Sequence, residues 1–198
     1  SLWIQLARIL VQKVGLCCLP DRLEPQVDNL YRRSYVGVRE SLFVRLVKIL
    51  DVLPKDAILP DLKAQDKKGI LEELVEPISR LKEVNREELV RVLMERERLG
   101  STGIGSGIGI PHGKLRDLDG LVLGFGLSRK GIDFESMDNR PTHIFFLLVT
   151  PENSTGLHLK LLARISKILK HDPFRERLLK AADRDEIYAI IKEEDADF

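Results

Sequence analysis

The sequence predicts an α/β domain, a mixed β-sheet flanked by helices, with an N-terminal helical extension. Three observations lead there. From residue 51 onward, helix-like and strand-like segments interleave. The run at residues 143–150 is nearly continuously apolar and rich in β-formers, as expected of a central strand buried on both faces. Charge also changes sign along the chain. Residues 1–50 are net basic and residues 51–198 slightly net acidic. The chain is therefore divided into an extension, 1–50, and a domain, 51–198.

In the extension, Trp3, Leu6, Ala7, Leu10 and Val14 share one face of a helix over residues 3–14. Pro20 and Pro25 mark an irregular stretch. A second amphipathic helix is expected at about 36–53, with Leu42, Leu46, Ile49 and Leu53 on one face. In the domain, residues 57–62 form a short apolar stretch interrupted by Pro60, an edge-strand pattern. Asp66 is placed to N-cap a helix to about residue 81, with Pro77 as a kink or stop. Asn85, with Glu88 three residues on, opens a helix to about residue 98. A glycine-rich loop follows. Residues 121–127 alternate apolar side chains with glycine, and 143–150 is the second strand. A long helix is expected to about His171, then one starting at Asp172-Pro173, where proline suits the first turn. A last helix spans about 185–193.

Composition excludes several classes of function. In 198 residues, 32 Lys and Arg stand against 31 Asp and Glu, a net charge of +1. That balance argues against a general nucleic-acid binder, which needs a basic surface to displace counterions. The apolar fraction of 43% is enough for a packed core. No run approaches the ~18 apolar residues that span a bilayer. Gln5, Arg8, Gln12 and Lys13 interrupt the apolar N-terminus, against a secretory signal. The two cysteines, Cys17 and Cys18, are adjacent and cannot staple distant segments. The expectation is a cytoplasmic protein. The basic amphipathic extension suits an arm packed on the domain or on a second copy, as in a homodimer. Its other reading is association with an anionic membrane.

The most informative stretch is residues 96–113, Arg-Glu-Arg-Leu-Gly-Ser-Thr-Gly-Ile-Gly-Ser-Gly-Ile-Gly-Ile-Pro-His-Gly. Glycines let backbone N–H groups approach an anion closely. Ile104, Ile108 and Ile110 alternate with them and can anchor the loop in a core. Two phosphate-loop patterns fail on spacing. Gly113-Lys114 is followed by Leu115, not Ser or Thr, and Ile108 stands where a Walker loop needs its first glycine. Gly105 and Gly107 begin a dinucleotide fingerprint, but Ile110 occupies its third glycine position. Nucleotide binding is disfavoured. What remains is His112 at the end of a turn stiffened by Pro111. Such an imidazole can act as a nucleophile toward a phosphoryl group. The reference pKa of histidine, about 6.5, keeps the nucleophilic neutral form abundant at neutral pH. The dianionic product would need cations and N–H donors around it.

The segment 97–113, with its Gly-Ser-Thr-Gly-Ile-Gly and Gly-Ile-Pro-His elements, resembles the active-site signature of enzyme IIA domains of the bacterial sugar phosphotransferase system. The class is the mannitol/fructose and nitrogen-regulatory one. The similarity continues through Gly-Ile-Asp-Phe at 131–134, Phe-Phe-Leu-Leu-Val-Thr-Pro at 145–151 and Leu-His-Leu-Lys-Leu-Leu-Ala at 157–163. It covers about residues 51–198. The resemblance implies that His112 accepts phosphoryl through Nε2 from the histidine phosphocarrier protein. It also implies transfer to a IIB transporter component, or retention as a mark read by a regulatory partner. It implies no metal and no organic cofactor. Two positions depart from the pattern. Ser106 stands where nitrogen-regulatory members often carry a basic residue, and Gly109 replaces the usual alanine before Ile-Pro-His.

His158 falls on the apolar face of its helix, with Leu161, Leu162, Ile165 and Leu169. By itself that suggests a core histidine. The resemblance makes it a partner of the phosphoryl group, not a second acceptor. Arg96 is one of many helix arginines, in a last turn where a cation suits the dipole. The resemblance makes it the phosphate-facing arginine, with Arg98 as its competitor. Lys114 is either solvated or docks an acidic partner. His143 is read as structural, His171 as a helix-end cation, and Asp133 and Glu135 as turn and surface groups. Two rival functions are a non-enzymatic regulatory binding module and the soluble domain of a larger membrane transporter.

Overall fold

The computed structural model describes residues 48–196. The helix expected at 3–14 lies outside the described residues, as does most of the one expected at 36–53. That second helix does not reach Leu53. Ile49–Asp51 is a single 3-10 turn, and Val52 leaves helical geometry. The chain stops coiling because Ile49 and Leu53 both turn into the core. Ile49 sits before residue 51, so the packed unit already includes the end of the basic segment.

Six strands form one mixed sheet: β1 (Ile58–Leu59), β2 (Gly103–Gly105), β3 (Ile108–Gly109), β4 (His112–Leu115), β5 (Val122–Ile132) and β6 (Thr142–Pro151). Five helices flank it: α1 (Lys67–Lys82), α2 (Arg86–Arg98), α3 (Thr155–Ile168), α4 (Asp172–Lys180) and α5 (Arg184–Ala196). The order is β1-β5-β6-β3-β2, with β4 also paired to β6. β5 and β6 run antiparallel, whereas β1 is parallel to β5, and β3 and β4 are parallel to β6. The expected edge strand is β1, and the expected central strand is β6.

Period-2 alternation on the two long strands divides the core between two faces. Leu123, Phe125, Leu127, Ile144, Phe146 and Leu148 pack against Leu161 and Ile165 of α3, Phe174 of α4 and Ile187 of α5. Val122, Phe145, Leu147 and Val149 pack on the other side against Ile70, Leu74 and Ile78 of α1 and Leu89 and Leu93 of α2. Each such side chain gains about 1.5–3 kcal/mol on burial. The glycines of β5 serve this packing. A Cβ on Gly126 would lie 2.7 Å from methyl carbons of Leu62 and Leu74. Glycine there lets α1 seat closely on the sheet.

Asp66 Oδ1 accepts from the Gly69 N–H at 2.8 Å, and Asn85 Oδ1 from the Glu88 N–H at 2.8 Å, so both expected caps form. Pro77 does not stop α1, which continues to Lys82 and ends at Glu83 in the left-handed region. The buried face of Ile70, Leu71, Leu74 and Ile78 holds the helix across the missing donor. Nor is the glycine-rich stretch a plain loop. It contains β2 and β3 and ends in β4, because β3 and β4 pair with β6 and β2 pairs back on β3. β5 runs five residues past the expected 127. Ser128–Lys130 break the apolar pattern, but pairing resumes at Ile132 opposite Thr142. α3 ends at Ile168, short of His171. His171 instead sits at the N-cap of α4, with Nδ1 2.9 Å from Glu194 Oε1. It is therefore no helix C-terminal cation, and Glu194 is its partner.

Candidate active site at His112

β3 and β4 lie end to end along the same edge of β6. Ile108 pairs with Ile144, and His112 with Leu148. Pro111 falls between them. It has no N–H to donate, but its carbonyl accepts from Leu148 at 2.9 Å. The chain thus passes through Ile110-Pro111 without losing the sheet, and His112 emerges as the first residue of β4. His112 is half-buried.

The two ring nitrogens have different surroundings. Nδ1 lies 2.8 Å from the Ile110 carbonyl. A carbonyl only accepts, so Nδ1 carries the proton. Nε2 is then the unprotonated nitrogen, and it accepts from Arg96 Nε at 3.1 Å. Arg96 occupies the last turn of α2, and its Nη1 donates to the Gly100 carbonyl at 2.9 Å. Arg98 is exposed, and the structure places Arg96, not Arg98, against His112.

Behind Arg96 the turn from α2 into β2 is anchored by Glu97, which is buried. Its carboxylate accepts from the Thr102 N–H at 3.1 Å and from the Thr102 hydroxyl, and Lys67 Nζ stands 3.5 Å away. Gly100, at φ +137°, makes the turn possible.

His158 lies in the second turn of α3 and is 7% exposed. Its ring centroid is 5.4 Å from that of His112, at an interplanar angle of 67°. Nδ1 is 3.1 Å from Thr150 Oγ1. Burial, reinforced by the charges of Lys114 and Arg96, lowers its pKa to about 4. His158 is therefore neutral at physiological pH and can offer a single N–H, but no full charge. Lys114, two residues after His112 on β4, is half-exposed on the same side of the strand. The structure thus brings Arg96, His112 and His158 together, with Lys114 close enough to act on His158.

The other sequence candidates lie apart. His143 Nδ1 meets the Ser128 carbonyl at 3.0 Å. Asp133 accepts from the Glu135 N–H, and Glu135 pairs with Lys67. Two contributors were not singled out from sequence, Glu97 and Thr150. Glu97 was signalled by its spacing, since Val90, Leu93 and Glu97 recur on one helical face. Thr150 had no signal of its own. A groove between α1 and α2, lined by Val90 and Met94 with a charged rim, contains none of Arg96, His112 or His158. Among the described residues, no group of three His, Cys, Asp or Glu side chains is arranged to hold a metal ion. Among them, too, no helix is long and apolar enough to cross a membrane.

A mixed sheet that presents a half-buried imidazole, its Nε2 facing a guanidinium with a neutral histidine beside it, suits a protein that receives an anionic group on histidine nitrogen. Residues 51–194 match the family described as phosphoenolpyruvate-dependent sugar phosphotransferase system, EIIA 2. The chain is 40% identical over 143 residues to a nitrogen regulatory protein of Bradyrhizobium diazoefficiens, covering 72% of this chain and 94% of that protein. It is 34% identical over 150 residues to the fructose-specific EIIABC component of Bacillus subtilis, covering 75% of this chain but only 24% of that larger protein. The crystal structure of nitrogen regulatory protein IIA-Ntr from Neisseria meningitidis superposes with a TM-score of 0.68 at 31% identity, over 71% of this chain and 97% of that one. The chain belongs to the EIIA type 2 family of the phosphotransferase system. Proteins of this family are phosphotransferases with phosphohistidine intermediates, acting in phosphoryl transfer or regulatory signalling, and EIIB components are among their partners.

Proposed function

We propose that His112 is the phosphoryl acceptor and that the donor is a phosphohistidine of the histidine phosphocarrier protein. The observation that carries this reading is the polarity of the His112 ring. Nδ1–H is held by the Ile110 carbonyl, and the Nε2 lone pair points to Arg96. In the transfer, the Nε2 lone pair forms the new N–P bond as the donor's N–P bond breaks. The electron pair of the broken bond returns to the donor imidazole. Positive charge that develops on the His112 ring is stabilised by the Nδ1–H bond to Ile110. The Arg96 Nε–H that meets Nε2 shifts to a phosphoryl oxygen, where the planar guanidinium fits a pair of oxygens. The His158 N–H supplies a further donor, and the positive charges of Arg96 and Lys114 offset the transferred anion.

Access supports a protein donor. Leu99 is 71% exposed three residues beyond Arg96, and Leu157 and Leu159 flank His158, each 38% exposed. Together they put an apolar rim beside a shallow charged centre. The downstream acceptor is a IIB transporter component or a regulatory target, in the cytoplasm. The regulatory reading is favoured by the fit to the Bradyrhizobium protein, which this chain matches over nearly its whole length. Ser106, where regulatory members often carry a basic residue, counts the other way.

The test is mass spectrometry after incubation with energised phosphocarrier. An acid-labile adduct of about 80 Da, one phosphoryl group, should map to His112 and be absent from His112→Ala. No adduct, or one on another residue, would overturn the assignment. Regulatory binding that persists in His112→Ala would show that partner recognition survives without the phosphoryl group. For residues 1–50 we propose a packed arm or dimer contact in preference to membrane association. Co-sedimentation with anionic vesicles, by the full chain but not by one lacking residues 1–47, which keeps the core residue Ile49, would reverse that preference.

A further inference from the structure

A neutral imidazole has one N–H, and its location decides what the ring offers an anion. With hydrogen on Nε2, His158 can donate to a phosphoryl oxygen while Nδ1 faces elsewhere. With hydrogen on Nδ1, the ring turns a lone pair toward that oxygen and repels it. Burial does not choose between these forms, and neither does the nearby positive charge, which only keeps the ring neutral. The choice falls to whatever meets Nδ1.

That group is Thr150. It lies in β6, opposite Lys114 of β4, and is 0% exposed. Its Oγ1 stands 3.1 Å from His158 Nδ1. A buried hydroxyl needs an acceptor for its hydrogen. Among the described residues the Thr150 hydroxyl has a single hydrogen-bond partner, His158 Nδ1. If Nδ1 were the donor, the hydroxyl hydrogen would be left buried without an acceptor. If Nδ1 is the acceptor, both groups are satisfied and the ring proton must reside on Nε2. The His158 ring is 5.4 Å from that of His112, within reach of a phosphoryl group carried there.

We propose that Thr150 is a positioning residue for phosphoryl transfer: its hydroxyl donates to His158 Nδ1 and so fixes the Nε2–H tautomer that can donate to the group on His112. This rests on the reading of His112 as acceptor. The sequence distance is short, and the logic resembles that of other histidines whose reactive nitrogen is set by a bond to the opposite one. Here, however, the oriented ring is not the nucleophile. Two imidazoles in one site are held in opposite protonation patterns, His112 by a carbonyl and His158 by a hydroxyl.

The experiment compares wild type, Thr150→Val, which keeps shape but loses the donor, Thr150→Ala as a second donor-free variant, and Thr150→Ser. Long-range 15N–1H NMR of the imidazoles reports the tautomer directly. Wild type and Thr150→Ser should show His158 with Nε2 protonated, whereas Thr150→Val and Thr150→Ala should move toward Nδ1–H. Phosphorylation by the phosphocarrier should slow about tenfold in kcat for the donor-free variants, with KM little changed, because a transition-state donor is lost while the docking surface is intact. Thr150→Ser should recover most of the rate. A well-folded Thr150→Val that keeps Nε2–H, or keeps the wild-type rate, overturns the proposal, as does an Nδ1–H tautomer in wild type. If wild type accepts no phosphoryl group, the functional reading falls and the role of Thr150 falls with it. The NMR result would still decide the tautomer.

Discussion

At the scale of single residues, three side chains show how position converts a common group into a specialised one. Arg96 is one arginine among many, and its Nε donates to His112 Nε2. Replacement by lysine keeps the charge and loses the planar fork. We expect Arg96→Lys to slow phosphorylation roughly 10–100-fold in single-turnover assays, with Arg98→Ala within about twofold of wild type. The opposite ranking would hand the role to Arg98. His158 has a pH signature. Its folded pKa is lowered to about 4 from 6.5, so the unfolded chain takes up the proton first as pH falls. The stability linked to His158 is complete above pH 6.5 and is lost as pH falls from there toward 4, with a ceiling of about 3 kcal/mol. Urea unfolding at pH 7 and pH 4.5 should therefore show a fall in stability that shrinks in His158→Gln. Equal falls in both proteins would contradict the assignment. Glu97 was readable from its helical spacing, whereas Thr150 was not. A threonine in a strand is ordinary until the histidine of the following helix is seen to fold back over it.

Among the elements, the caps and the central strand were legible because their causes are local. Asp66 and Asn85 each bond an N–H three residues on, and residues 143–150 declare a strand buried on both faces by composition alone. The short strands β2, β3 and β4 were not legible. They hold two to four residues each and exist through pairing with one another and with β6, far along the chain. Pro77 does not end α1, which runs to Lys82 near the expected end, since packing of the helix on the sheet overrides one lost donor. His171 misled because α3 ends at Ile168 and the chain has reached the N-cap of α4 at His171. At this scale the firmest prediction concerns α5. Asp195 accepts from Arg164 Nε at 2.6 Å and from the Ile49 N–H at 2.9 Å, and both ion-pair side chains are 2% exposed. Asp195→Ala removes the buried carboxylate to which Arg164 Nε and the Ile49 amide donate, while Arg164 Nη2 keeps its bond to the Asp195 carbonyl. It should cost about 3–5 kcal/mol by urea unfolding, and a loss under 1 kcal/mol would show that the site relaxes or admits water.

Across the whole molecule, the candidate active-site residues come from α2, β4 and α3, with β6 supplying the proposed positioning residue Thr150. Strand β6 is the common support. It pairs with β4 beneath His112 and ends at the residues that hold His158 and lead into α3. The sequence by itself determined the α/β class, the main helices, the central strand and the candidate trio of Arg96, His112 and His158. Periodicity, capping and a distinctive motif are written in neighbouring residues. The tertiary structure alone decided that Arg96 meets His112 beside His158, and how Ile49 and Asp195 close the fold. Those outcomes depend on hydrogen bonds between groups that chain order does not make neighbours. Their free energy exists only once burial has excluded the water that would otherwise satisfy them.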